Sequence, residues 1–196
     1  MNLIDQSFCR IKLILKYVDN PKSILEIGTH QGDFAMKLYD NFKPNKLVLV
    51  DPYKFETDYI YQNSWYGGGE MHIIGQTKQD NYYEKVKRIF NEELKNNIVE
   101  ILKMNSDEAF KKNKIKFDLI YIDGNHLYSF VLKDILNSIN CLNSGGIIVC
   151  DDFNSKGWWE DGVTKAVNEI VKKKKLKFVN YDEALTTQQS VLKMRQ

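Results

Sequence analysis

The chain has 196 residues, 43% hydrophobic and 28% charged, with a formal net charge of +2. That suffices for one domain with a sizeable core and is short for two, and so small a charge argues against nucleic acid or an anionic membrane as partner. No apolar run approaches the ~20 residues of a membrane span, and the opening MNLIDQSFCRIK lacks a basic stretch before an apolar core, so a cytoplasmic protein is expected.

Cys9, Cys141 and Cys150 are an odd count without C-x-x-C spacing. They are expected as buried, reduced thiols in a reducing compartment. Ile4, Phe8, Ile11, Leu15 and Val18 recur at spacings of four and three. They predict an amphipathic helix within residues 1–20, ended by Asp19-Asn20-Pro21, whose plainest role is to cover a sheet. Ser23 to Asp33 reads SILEIGTHQGD. Ile24, Leu25 and Ile27 suit a buried strand, Gly28 and Gly32 a turn, and DFAMKLYDNF a helix with Phe34, Leu38 and Phe42 on one face.

Lys46 to Val50 is a second short strand, closed by Asp51. Tyr53 to Gln79 has no clean period. It carries Tyr53, Phe55, Tyr59, Tyr61, Trp65 and Tyr66, then Gly67-Gly68-Gly69. A connection of this length is a substrate lid or a packed insertion, and both readings stand. If it needs a second surface to cover it, a homodimer follows.

A helix is predicted over Asn81 to Asn97, a third strand over Val99 to Met104, and a helix opening at Asn105-Ser106-Asp107. Phe117 to Ile122 is a fourth strand ending at Asp123. Tyr128, Leu132, Ile135, Ile139 and Leu142 mark a helix closed by Gly145-Gly146. Ile147 to Cys150 is a fifth strand ending at Asp151-Asp152. After Trp158-Trp159, a stripe of Val163, Val167, Ile170 and Val171 predicts one more helix, with Lys172 to Lys175 as its solvated end. Leu176 to Val179 and Ser190 to Met194 form a closing strand pair.

Alternating strands and helices predict a single α/β domain, Rossmann-like and doubly wound. Its sheet is mostly parallel and seven-stranded, with helices on both faces and an antiparallel closing strand. Right-handed crossovers then bring Glu26, Asp51, Asp123 and Asp151 to one edge. A dinucleotide fingerprint would want glycine at 30 and 33, where this chain has His30 and Asp33. Carboxylates there would repel a phosphate and attract a cationic ligand. A nicotinamide-dependent oxidoreductase is therefore disfavoured.

A strand ending in Glu before G-x-x-x-G resembles motif I of class I S-adenosylmethionine-dependent methyltransferases. The resemblance implies cofactor contacts at Glu26, Gly28 and Gly32, a ribose contact at Asp51, which otherwise reads as a helix-capping or turn residue before Pro52, and an adenine contact at Ser106, which reads equally well as a helix cap. Asp123 belongs to both the cofactor and the catalytic sets.

Asp123-Gly124-Asn125-His126 and the acidic pair Asp151-Asp152 sharpen it. They resemble metal-dependent O-methyltransferases of the macrolide and aminocoumarin sugar type. The implied ligands of a Mg²⁺ are Asp123, Asp151 and Asp152, with His126 as a base three residues beyond Asp123. Alternatively, Asp123 is satisfied by backbone amides, Asp152 caps a loop, and His126 is a helix N-terminal histidine bonded to backbone. The expected function is methyl transfer to a hydroxyl of a small acceptor, a sugar first. A metal-independent small-molecule methyltransferase and a non-catalytic cofactor-binding module are the alternatives. DGNH is unlike the Asn/Asp-Pro-Pro-aromatic sequence of nucleic-acid amine methylases, so no nucleic acid is expected.

Overall fold

A computed structural model describes residues 6–68, 72–173 and 175–195. Ile4, Gly69 and Lys174 lie outside the described residues. In chain order come α1 (Gln6–Tyr17), β1 (Ser23–Ile27), α2 (Asp33–Phe42), β2 (Lys46–Val50), a 3₁₀ turn (Tyr59–Tyr61), α3 (His72–Ile89), α4 (Asn91–Lys95) and β3 (Val99–Leu102). Then follow α5 (Ser106–Lys112), β4 (Phe117–Ile122), α6 (Tyr128–Asn140), β5 (Leu142–Cys150), α7 (Gly162–Lys172), β6 (Leu176–Phe178), α8 (Tyr181–Thr187) and β7 (Ser190–Met194).

The sheet order is β3-β2-β1-β4-β5-β7-β6. β1 to β5 pair in parallel, and β7 runs antiparallel between β5 and β6. The expected seven-stranded, mostly parallel sheet is present. Buried on both faces, the parallel strands are nearly continuous Ile, Leu and Val, as such sheets require. Alternate residues serve opposite layers. Leu25, Ile27, Val48, Val50, Ile120, Ile122 and Ile148 pack with α5, α6 and α7. Ile24, Leu47, Leu49, Leu119, Tyr121 and Val149 pack with α1, α2 and α3.

Register brings the site together. Ile27 is paired with Val50 on one side and with Ile122 on the other, and Ile122 with Cys150. Asp51, Asp123 and Asp151 are each the next residue, so the strand ends are level. Backbone bonds carry the ladder one step further: Asp123 N–H donates to Ile27 O at 2.8 Å and Asp151 N–H to Ile122 O at 3.0 Å.

Several local expectations are corrected. α3 begins at His72, well before Asn81, and the predicted helix is split at Phe90 into α3 and α4. Gly145-Gly146 does not close a helix. Both lie inside β5, where the β4–β5 register shifts, and a glycine pair suits that irregularity. α8, between the closing strands, is an addition. Its seven residues are too few for a periodic signal to stand out. Only Cys150 is buried; Cys9 is exposed and Cys141 half-buried, and all three are free thiols. Cys9 lies on a helix with one face in water, and Cys141 caps α6, so neither needs burial. No helix among the described residues is long and apolar enough to cross a membrane.

Candidate active site

The site begins where β1 runs out. Gly28 has φ +92°, and a Cβ there would lie 2.0 Å from the carbonyl oxygen of Asp123. Only glycine lets the ends of β1 and β4 approach so closely. Gly32, at φ +81°, starts α2 and closes the turn by donating its N–H to Thr29 O at 2.8 Å. Between them, His30 N–H donates to Asp51 Oδ2 at 2.8 Å, and Tyr53 N–H donates to Oδ1 at 2.7 Å. Asp51 thus ties the glycine turn to the second strand. Each of its oxygens keeps a lone pair for a ligand hydroxyl. Burial raises its carboxyl above the usual range, and the two amides pull the other way.

Glu26 lies on the same side of the sheet, 2% exposed, and its Oε2 has no hydrogen-bond partner. Burial raises its carboxyl to about 8, opposed by the Thr29 hydroxyl and aided by the charges of Asp123 and Asp51. Asp118, at the start of β4, is the contrast: Lys22 N–H, Ser23 N–H and the Asn143 amide all donate to it. An unpartnered buried carboxylate oxygen beside a glycine turn is a place for a cationic group.

Ser106 does not join this group. Asn105 is the cap of α5, its Oδ1 accepting from Glu108 N–H at 3.0 Å. Ser106 faces the other side of the sheet, lining a small cavity with Leu25, Val50 and Leu102. There its hydroxyl faces Asp134 of α6 and opposes the rise to about 7 that burial gives that carboxyl.

The acidic edge is closed by two cations. Arg10 of α1 places Nη2 2.6 Å from Asp151 Oδ2 and Nη1 3.7 Å from Asp123 Oδ2. Gln189, at the entry to β7, donates to Asp151 Oδ1 at 2.6 Å. Burial and the charge of Asp123 push the Asp151 carboxyl up, against Arg10 and Gln189. His126 bridges the remaining pair, Nε2 at 3.2 Å from Asp123 Oδ1 and Nδ1 at 3.2 Å from Asp152 Oδ2. Burial alone would lower the imidazole, but the two carboxylates prevail and raise it to about 9. Asp123, Asp151 and Asp152 do converge, as expected, yet not as an open ligand shell. Among the described residues no group of three or more His, Cys, Asp or Glu is arranged to hold a metal ion. The expected Mg²⁺ shell is not shown: nitrogens of Arg10, His126 and Gln189 lie against oxygens of Asp123, Asp151 and Asp152.

Aromatic residues roof this edge. Tyr61 accepts a hydrogen bond on its hydroxyl from Asn125 Nδ2 at 3.1 Å. Tyr61 and Tyr66 meet Trp158 at ring separations of 5.5 and 5.8 Å, Trp158 meets Trp159 at 5.7 Å, and Trp159 meets His126 at 4.7 Å. The base of the loop is pinned by Glu56 N–H donating to Tyr66 O at 2.7 Å. At its tip Trp65 is 74% exposed and edge-on to His30.

Sequence reasoning missed Arg10, Trp158 and Gln189 as site residues and had Tyr61 only within the lid reading of residues 53–79. Arg10 carried a signal: only three of the chain's 28 basic residues are arginine, and arginine is the residue suited to bridging carboxylates. The rest are contacts between distant segments.

One consequence is measurable without any ligand. Glu26, Asp134 and His126 all bind protons more tightly when folded. Their stabilisation is complete below the unfolded values of ~4 for the carboxyls and ~6.5 for histidine. It is lost as pH rises through about 7, 8 and 9 for Asp134, Glu26 and His126. The urea midpoint of the cofactor-free protein should fall steadily from mildly acidic pH to pH 9. A midpoint that rises over that range would refute these protonation states.

A parallel α/β sheet whose first strand enters a glycine turn, held by an acidic residue from the second, is the framework of nucleoside-cofactor enzymes. Residues 25–153 match a family described as a methyltransferase domain. The chain therefore belongs to that methyltransferase family. It is 28% identical over 153 residues to an uncharacterised protein, R132, of Acanthamoeba polyphaga mimivirus, covering 75% of this chain and 58% of that relative's length. Solved structures share the fold. The Podospora anserina methyltransferase PaMTH1, bound to SAH, has a TM-score of 0.61 at 15% identity, covering 97% of this chain and 76% of that one. The Bacillus cereus O-methyltransferase has 0.60 at 13%, covering 91% and 74%. An rRNA methylase from Streptococcus thermophilus has 0.60 at 12%, covering 100% of both chains. The fold is thus shared with both an O-methyltransferase and an rRNA methylase, so it does not fix the acceptor.

Proposed function

We propose that this methyltransferase uses S-adenosylmethionine to methylate a hydroxyl of a small polar acceptor, a sugar or sugar-containing metabolite before others. The observation that carries the cofactor is the unpartnered, buried Oε2 of Glu26 beside the Gly28–Gly32 turn. When bound, the cofactor supplies an electrophilic methyl on a positively charged sulfur. Glu26 offers its carboxylate to the cationic part, Asp51 its free lone pairs to ribose hydroxyls, and the glycine turn leaves room for both. The fold relatives that carry SAH, including the B. cereus O-methyltransferase, support this choice.

The acceptor end is the acidic edge. Asp123 and His126 stand there under Tyr61, Trp158 and Trp159. Aromatic faces shield the site from water and suit the C–H face of a sugar ring or another ring. Asp123 and His126 have to align the hydroxyl with the methyl and take its proton. Assistance by Mg²⁺ does not fit the residues as they stand, because Arg10 and His126 hold the carboxylates it would need.

Calorimetry decides the cofactor. S-adenosylmethionine or its demethylated product should bind, and Asp51→Ala should weaken binding by about 1–3 kcal/mol through lost charge-assisted hydrogen bonds. Tight NAD binding with none of S-adenosylmethionine would end this reading. A screen of sugars and phenols with labelled cofactor, with and without Mg²⁺, would identify the acceptor.

A further inference from the structure

Three carboxylates on one sheet edge demand compensation. Like charges a few ångströms apart repel strongly where water is largely excluded. Enzymes of the metal-dependent kind meet that demand with a divalent cation. Here the chain meets it from within, and the residue responsible lies on α1, outside the part that matches the methyltransferase family.

Arg10 is held there from several sides. Its neighbours Ile11, Leu13 and Ile14 are fully buried and fix α1 against the sheet. Its guanidinium carbon lies 5.6 Å from the centre of the Phe34 ring, at the first turn of α2. That is within range of a cation–π contact. The partner is equally fixed, since Gln189 holds the other oxygen of Asp151. A guanidinium keeps its charge throughout the physiological range, and its fork reaches two carboxylates at once. A divalent metal would need several oxygens at ~2.1–2.6 Å in its own shell. The Arg10 nitrogen 2.6 Å from Asp151 Oδ2 stands in that space, as an ion pair.

We propose that Arg10 is the resident cation of the acceptor site: it takes the place of a divalent metal between Asp123 and Asp151, positions Asp123 toward the acceptor, and keeps metal out. The role rests on reading the acidic edge as the acceptor end, but the exclusion of metal does not depend on any substrate. It turns α1 from a cover on the sheet into a part of the site. Arg10 is a positioning residue, acting on the acceptor through Asp123.

The test uses the full chain without cofactor and reads bound Mn²⁺ by electron paramagnetic resonance. The unaltered protein should leave Mn²⁺ free. Arg10→Gln and Arg10→Ala should each bind one Mn²⁺ per chain, at least about tenfold more tightly than the unaltered protein. Mg²⁺ should compete for it, and a further Asp151→Asn should abolish it. Arg10→Lys keeps a charge at the site and should stay closed to metal. In turnover, chelator should leave the unaltered enzyme unchanged, whereas the Arg10→Gln enzyme should gain a Mg²⁺ requirement. Two results would overturn the proposal. One is Mn²⁺ bound by the unaltered protein and lost with Asp151→Asn, whatever the variants do. The other is a folded Arg10→Gln protein that still binds none. If no methyl transfer is found for any acceptor, the Mn²⁺ measurement still stands, so failure of the proposed reaction and failure of this inference are separable.

Discussion

Replacing His126 with alanine is expected to lower methyl transfer by about 10²–10⁴-fold, the usual contribution of a positioned general base. The expected pH dependence is more specific. His126 bridges Asp123 and Asp152 at 3.2 Å to each, and it is raised to about 9. At pH 7, two units below that value, only about one molecule in a hundred carries the neutral imidazole that can accept a proton. The rate should therefore climb about tenfold per pH unit from neutrality and level off near pH 9. The sign follows from the cause: the flanking carboxylates stabilise the protonated ring, so the base form appears only on their alkaline side. His126→Ala should lose the rise along with the rate. A flat profile in the unaltered enzyme, or an unchanged rate in the variant, would remove His126 as the base and leave orientation to do the chemistry.

Gly28→Ala is expected to destabilise the protein by about 2–5 kcal/mol, from left-handed backbone strain and forced overpacking together. The added Cβ would lie 2.0 Å from Asp123 O and 2.7 Å from the Cα of Gly124. Both are backbone atoms and cannot rotate away. Relief requires β1 and β4 to part at the point where the site is built. Such a loss is a large share of the roughly 5–15 kcal/mol that holds a domain folded. Gly145→Ala provides the control. It has φ +79° but nothing within 4 Å of the added Cβ. Only the conformational cost of about 1–2 kcal/mol should appear. Urea unfolding of both variants separates strain from collision. Equal losses would mean that the close approach at Gly28 contributes nothing.

Much of the architecture was legible in the residues. The runs at Ile24, Leu47, Phe117 and Ile147 suited buried strands, and the helical stripes between them predicted a mostly parallel sheet. An acidic residue at or just past a strand end is written in adjacent positions, so Glu26, Asp51, Asp123 and Asp151 were visible as one edge from the chain alone. Gly28 and Gly32 were visible for the same reason: a positive φ is a local demand, and glycine answers it locally.

What pairs with those carboxylates was decided by tertiary structure alone. Arg10 meets Asp151 from the far end of the chain, Gln189 meets it from the other end, and Tyr61 meets Asn125 across the sheet edge. An ion pair or a hydrogen bond between distant segments has no period and no spacing. The acidic cluster alone was therefore read as a metal site or as carboxylates met by backbone amides, and nothing in it pointed to a guanidinium. Ser106 shows the same limit in reverse. Its place after the third strand put it near the cofactor by sequence, but α5 holds it on the opposite face of the sheet, beside Asp134 of α6. The sequence by itself determined the sheet, its acidic edge and the glycine turn, because those follow from local conformation and periodic burial. Only the packing of α1 and the closing strands against that edge decided that its countercharges are Arg10 and His126, since long-range electrostatic pairing is set by which surfaces are brought together.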